Sequence, residues 1–201
     1  MVRKIVLLLL LPMSLPLFSQ NGDWYDSAKK YQDSLNAVFG DANRTILLKK
    51  DYAIFEGLDF YPIDLDFRVE ARFIRTPNEE PFLMATTTTR KPLYVKYGEA
   101  YFTLKGVECK LNIYKSMTSF EGGPYLKKVF VPFTDFTTGD GTYGGGRYAY
   151  IDIPTGDTMV IDFNQVFNPY CAYNSGYSCP IVPRENDLQL RIEAGVKDFK
   201  K

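Results

Sequence analysis

At 201 residues, with 45% hydrophobic and 24% charged side chains, the sequence can bury a core as one globular domain, which excludes disorder and coiled coil. Its 24 basic and 24 acidic residues cancel, so no polyanionic partner is advertised and nucleic-acid binding is not expected. There is no histidine, which removes Ser-His-Asp and Cys-His nucleophilic machinery, HExxH zinc sites and a histidine base.

Any acid–base chemistry would therefore fall to Asp, Glu, Tyr, Cys or Lys. The 15 tyrosines and 15 phenylalanines lean the composition towards strands, where aromatic side chains pack well.

Residues 1–20 carry a basic pair, Arg3 and Lys4, before an apolar run broken by Pro12 and Pro16. That run is short for a bilayer span but suits a signal peptide, with cleavage expected beside Ser19 or Gln20. No cysteine lies at that junction, so a lipid anchor is not expected. The mature chain, 21–201, is then a single exported domain, periplasmic or extracellular, with a charge of about −2 and no membrane span. Across 23–39, Trp24, Ala28, Tyr31, Leu35, Val38 and Phe39 recur at steps of three and four, one face of an amphipathic helix. Asp23 is placed to cap its start, and Gly40 to end it in a left-handed conformation.

Strand patterns follow. Phe67, Val69, Ala71 and Phe73 alternate with Arg68, Glu70 and Arg72, the signature of a half-buried strand. Further runs cover 82–89, 93–97, 100–104, 107–114, 127–133, 147–153, 158–163 and 188–193. Glycine pairs at Gly98-Glu99 and Lys105-Gly106 read as two-residue hairpin turns. The expectation is an antiparallel β-sandwich or β-barrel of about nine strands, with one N-terminal helix.

The stretches FEGLDFYP, PFTDFTTGDGTYGGGRY, DFNQVFNPYCAYNSGYSCP and PREN give the chain a distinctive signature. Its most specific part is F-N-P-x-C-A-Y-x-x-x-Y-x-C-P, here Phe167 to Pro180. On these motifs the chain resembles a bacterial family known only as domain-of-unknown-function family 1684. The resemblance spans nearly all of the mature chain. It implies no established activity, cofactor or ligand. One departure stands out: a second proline often follows the N-P pair in that family, where this chain has Tyr170.

Within this region, Gly139 to Gly144 matches GxGxxG, but a strand pattern follows it rather than a phosphate-binding helix. A P-loop would need Lys-Ser/Thr where Gly145 and Gly146 stand. What remains is a backbone concavity over Gly144, Gly145 and Gly146, with Arg147 adding a fork of donors for an anion; the alternative is a plain connection. Strands 147–153 and 158–163, joined by a short turn, are expected to pair, which would bring Arg147 beside Asp162 and Asn164. Asp162 shares a strand face with Val160 and so needs a partner, Arg147 being the expected one, or a role at a pocket wall.

Asp162 and Glu185 are the candidate acid–base residues if the protein is an enzyme. Tyr143, Asn164, Asn168 and Tyr173, with Arg147 and the glycine backbone, are candidate ligand contacts. They could equally tie irregular loops to the sheet. Cys171 and Cys179 are expected to form a disulfide, worth roughly 2.6 kcal/mol for a loop of about nine residues. A zinc site would need two further ligands, and a redox pair normally has closer spacing, so no metal or cofactor is expected. Cys109 reads as a buried, inert thiol. Three functions stay open: binding of a small, anionic molecule between the two loops, a carboxylate-dependent hydrolase there, or a structural envelope module.

Overall fold

The computed structural model describes residues 20–118 and 125–200. The expected signal peptide, 1–20, lies outside the described residues except for its last position. Among the described residues, no helix is long and apolar enough to cross a membrane.

The chain forms one antiparallel sheet curled into a half-barrel, with few helices. Its strands are β1 (Arg68–Arg75), β2 (Phe82–Leu83), β3 (Leu93–Leu104), β4 (Val107–Ser116), β5 (Lys128–Phe133), β6 (Arg147–Asp152) and β7 (Thr158–Asp162). The order across the sheet is β6-β5-β4-β3-β1-β7, with the short β2 added to β3. Against the expected nine strands, the described residues form seven, in one sheet rather than a sandwich.

Two of the differences have clear causes. The runs 93–97 and 100–104 are one strand, because Gly98 is a point of close approach rather than a turn. A Cβ there would sit 2.5 Å from the Phe73 ring and 2.6 Å from the Ile74 carbonyl. The pairing with β4 shifts register at this place, between Lys96 and Gly98, the mark of a bulge. Lys105 and Gly106, in contrast, do form the β3–β4 turn, both with positive φ (48° and 81°).

The run 188–193 alternates as read, with Leu188, Leu190 and Ile192 buried, but joins no ladder. It crosses the inner face of the half-barrel as a plug. There it packs against Phe67, Val69, Phe102, Leu111, Val131, Phe133, Ile161 and Phe163 in the main core. Alternation reports burial on one side, and that is all this segment needed.

Helix α1 (Gln20–Phe39) starts before Asp23, which lies in its first turn, where the helix dipole favours an acid, instead of capping it. Ala28, Gln32 and Phe39 are its most buried residues. Gly40 ends it without a left-handed φ, its N–H donating to the Asn36 carbonyl at 2.8 Å. A four-residue helix, α2 (Lys49–Tyr52), follows.

Candidate functional site

β6 and β7 are the two edges of the sheet and do not pair. β7 instead pairs with β1, with Arg68 opposite Asp162, and the free edge of β6 is met by Phe167 through reciprocal bonds with Tyr148 at 2.9 and 3.0 Å. The expected hairpin between 147–153 and 158–163 is therefore absent, and with it the expected pairing of Arg147 with Asp162.

Arg147 is fully buried elsewhere. Its guanidinium donates to the Asp135 carboxylate at 3.2 Å, to the Ile192 carbonyl at 2.8 Å and to the Ala194 carbonyl. Burial pulls its pKa below the usual arginine value, and the Asp135 charge opposes that pull. The Ile192 N–H in turn donates to Asp135 Oδ2 at 2.8 Å. The pair thus supplies hydrogen bonds to the plug at Ile192 and Ala194, beyond the reach of the backbone bonds that Thr134 and Phe136 make with Leu188 and Leu190. Gly146 makes this turn at φ 82°, where a Cβ would stand 2.6 Å from the Phe133 carbonyl.

The other sequence candidates divide in the same way. Asn164 is buried and pairs with both backbone groups of Asp64, at 3.0 and 2.9 Å. Asn168 donates to the Lys197 carbonyl at 2.9 Å, and Tyr173 lies in the core edge-to-face with Phe39, centroids 4.6 Å apart. Glu185 is exposed in a 3-10 turn at Arg184–Asn186. Tyr143 sits with its hydroxyl 3.7 Å from the Cys171 sulfur. None of these, nor Gly144 and Gly145, lines the principal cavity. Asp162 alone among the candidates does.

That cavity, about 610 Å³, occupies the seam between the two sheet edges, with α1 laid over it. Gln32 fixes the helix there, its side-chain amide donating to the Asn164 carbonyl at 3.1 Å. One helical stripe, Trp24, Ser27, Tyr31 and Leu35, forms the roof. Tyr150 on β6 is stacked on Tyr125 with centroids 4.0 Å apart and on Phe167 at 5.9 Å, giving a continuous aromatic wall. Arg68, Val160 and Asp162 line the opposite edge, and Tyr170 lies at the rim.

The polar groups of this cavity are unevenly engaged. Asp162 is saturated: it accepts from the Asn164 N–H at 3.0 Å, the Asn164 amide at 2.9 Å and Gln165 at 3.0 Å, capping the turn Phe163–Gln165. Lys128 is paired with Asp152 at 2.9 Å. Arg68, by contrast, has no ion pair or side-chain hydrogen bond among the described residues, and the buried Trp24 Nε1 has no acceptor. Burial raises the Tyr31 and Tyr150 hydroxyls well above their usual pKa, so both remain neutral donors. Among the described residues, the cavity offers spare donors in Arg68 and Trp24, and one spare carboxylate, the exposed Asp23 at the start of the roof.

Sequence reasoning named Tyr150 among possible pocket tyrosines but missed Trp24, Tyr31 and Arg68 as its companions. Trp24 and Tyr31 were visible as a helix face and Arg68 as the outward face of β1. The signal that joins them is the closing of the sheet, which no local pattern carries. Asn186 was also missed: buried in the PREN motif, it bonds both backbone groups of Asn112 (2.8 and 2.9 Å) and the Pro132 carbonyl (2.7 Å), bridging β4 to β5.

The three cysteines are free. Cys171 and Cys179, expected as a disulfide, are unbonded neighbours, with the Cys171 N–H donating to the Cys179 sulfur at 3.1 Å. Among the described residues no group of three or more Cys, Asp or Glu side chains is arranged to hold a metal ion.

No curated protein matches the chain. Among solved structures, the solution NMR structure of an uncharacterized protein from Haloarcula marismortui is similar, with a TM-score of 0.69 and 29% identity, over 87% of this chain and 94% of that one. A family profile described as "Protein of unknown function (DUF1684)" matches residues 53–197, which takes in the sheet, the plug and every cavity residue except those of α1. Since that match covers well over half of the sequence, the chain belongs to the DUF1684 family.

Proposed function

We propose that the protein is an exported binding protein that holds a small acceptor-rich molecule in the seam cavity. One observation carries the reading: an aromatic-walled space of about 610 Å³ has on its lining the buried Trp24 Nε1, which has no acceptor, and the exposed Arg68, which has no side-chain partner among the described residues. That volume falls in the range of sites for small organic ligands. A buried donor left without an acceptor costs free energy that a ligand oxygen would recover. Arg68 suits a carboxylate or phosphate, and the aromatic lining suits a ligand with an apolar side. The export half of the proposal rests on the basic, proline-broken apolar segment at the N-terminus.

The hydrolase reading gains nothing from the geometry. Asp162 has both carboxylate oxygens committed to capping a turn, and Glu185 is not at the cavity. A purely structural module would bind no such ligand.

Thermal unfolding with a panel of aromatic carboxylates, uronic acids and sugar phosphates tests the reading. At least one class should raise the midpoint of the wild type in a concentration-dependent way, and Arg68→Ala should lose that rise. A panel that leaves the wild type unmoved, or moves both proteins equally, removes the proposal.

A further inference from the structure

The three cysteines differ in their surroundings. Cys109 is buried on β4, its thiol beside the Val107 carbonyl at 3.5 Å, and burial, with the Glu108 charge, raises its pKa rather than activating it. Cys171 and Cys179 stand together on a loop whose backbone is fixed from outside. The Cys179 N–H donates to Thr87 Oγ1 at 3.1 Å, and the Thr87 N–H donates to the Cys179 carbonyl at 2.9 Å. Arg90 is locked beside them by bonds to Ser178 Oγ (3.1 Å) and to the Ser178 carbonyl (2.7 Å).

Polar groups face both sulfurs, two of them at Cys179 and one at Cys171. The Cys171 N–H points at the Cys179 sulfur, the Tyr143 hydroxyl lies 3.7 Å from the Cys171 sulfur, and Arg90 adds a nearby positive charge. Cys171 is the more exposed of the pair and Cys179 is 6% exposed. An inert core pair would lack these polar neighbours.

We propose that Cys171 and Cys179 form a reversible dithiol–disulfide centre, with Cys171 as the attacking sulfur and Cys179 as the resolving one. The oxidant is a disulfide, either a small-molecule one or a partner protein's. The Cys171 thiolate attacks one of its sulfurs, forming a mixed disulfide and releasing the first thiol. Cys179 then gives up its proton and attacks the Cys171 sulfur, releasing the second. Two electrons pass to the oxidant, two S–H bonds become one S–S bond, and the reverse sequence reopens it.

The order of attack fits the titration of the pair. The hydrogen bond with Cys179 is the main cause drawing Cys171 down to about 6, against burial, with Tyr143 assisting. The same contact, with burial, pushes Cys179 far up. One proton is shared, and the first to leave uncovers the exposed sulfur. Tyr170, adjacent to Cys171, lines the seam cavity and meets Tyr177 of the same loop edge-to-face at 5.2 Å, so closure of the ring acts on the cavity rim.

The test equilibrates the full chain in glutathione buffers of graded ratio, starting once from fully reduced and once from fully oxidised protein, with acid quenching, alkylation and peptide mass mapping. The two starting points should converge on one two-electron curve for a Cys171–Cys179 bond, with Cys109 modified only after unfolding. In a companion experiment on the reduced protein, iodoacetamide should label Cys171 first, at a rate half-maximal near pH 6. A pair that never closes, or that closes and stays shut in reducing buffer while folded, overturns the proposal. Labelling of Cys179 first, or a labelling midpoint near an ordinary thiol's, overturns the assignment of roles.

Discussion

Arg147 and Asp135 form an ion pair at 3.2 Å with neither side chain exposed to solvent. Two charges so placed are tolerated because the plug segment needs them: Ile192 and Ala194 offer carbonyls to the guanidinium, and the Ile192 N–H meets the carboxylate. Removing one partner leaves the other charged and stranded. Arg147→Ala should therefore cost about 3 to 5 kcal/mol of folding stability. Arg147→Lys keeps the charge but not the fork and should recover only part of that loss. Urea unfolding of the three proteins checks this, and wild-type-like stability for Arg147→Ala would refute the role of the pair.

Two glycines should respond oppositely to the same substitution. Gly146 combines φ 82° with a Cβ position 2.6 Å from the Phe133 carbonyl, so Gly146→Ala should destabilise by about 1 to 3 kcal/mol. Gly156 has open space around its Cβ position and no left-handed φ. Gly156→Ala should be neutral or stabilising by up to about 1 kcal/mol, through the unfolded chain. Midpoints of chemical unfolding for the two variants give the comparison.

Asn186 satisfies Asn112 and Pro132 at the place where β4 and β5 share a single register pair. Asn186→Ala strands an amide and two carbonyls in the interior and should cost about 2 to 4 kcal/mol, from losses of about 1 to 3 kcal/mol per stranded group that do not add in full. Amide exchange of the Asn112 N–H should accelerate at the same time. Unchanged exchange there would show that the bridge does not hold the strands.

On the outer face of the sheet, Glu99 accepts from Lys110 at 2.8 Å and from the Tyr101 hydroxyl at 2.6 Å, which hold its carboxylate at about 2. A folded-state value below the unfolded one means the stabilisation is present above the unfolded pKa. It is lost as pH falls through the folded one. The difference in melting temperature between wild type and Glu99→Gln should be full at neutral pH, shrink from about 4.5 downward and vanish near 2. A difference that is flat across that window would contradict the assignment.

Much of the fold was legible where burial and hydrogen bonding coincide. The alternation of Val69, Ala71 and Phe73, and the two positive-φ residues at Lys105 and Gly106, wrote β1 and the β3–β4 turn directly into the sequence. The reading failed where the two separate. The plug alternates outside the sheet: backbone bonds to Thr134 and Phe136 hold its first half, and side chains of Asp135 and Arg147 satisfy Ile192 and Ala194. Gly98 looked like a turn because a glycine needed for lack of space resembles one needed for φ. The cavity was illegible for a different reason. It is made by the two edges of the sheet and a helix over a hundred residues away from β6, and which edges face each other depends on how far the sheet curls.

The chain has one tryptophan, and Trp24 lies in the roof of the seam cavity, so its emission reports that site alone. Fluorescence titration of the folded protein with the anionic panel, repeated on Arg68→Ala with its circular dichroism matched to wild type, is the most direct measurement. Occupancy predicts a saturable change in Trp24 emission for at least one carboxylate or phosphate ligand. Arg68→Ala should need at least tenfold more ligand, the loss of about 1.4 kcal/mol of binding. Binding that leaves Trp24 emission unchanged, or that is as tight in Arg68→Ala as in the wild type, would contradict a ligand site at the seam.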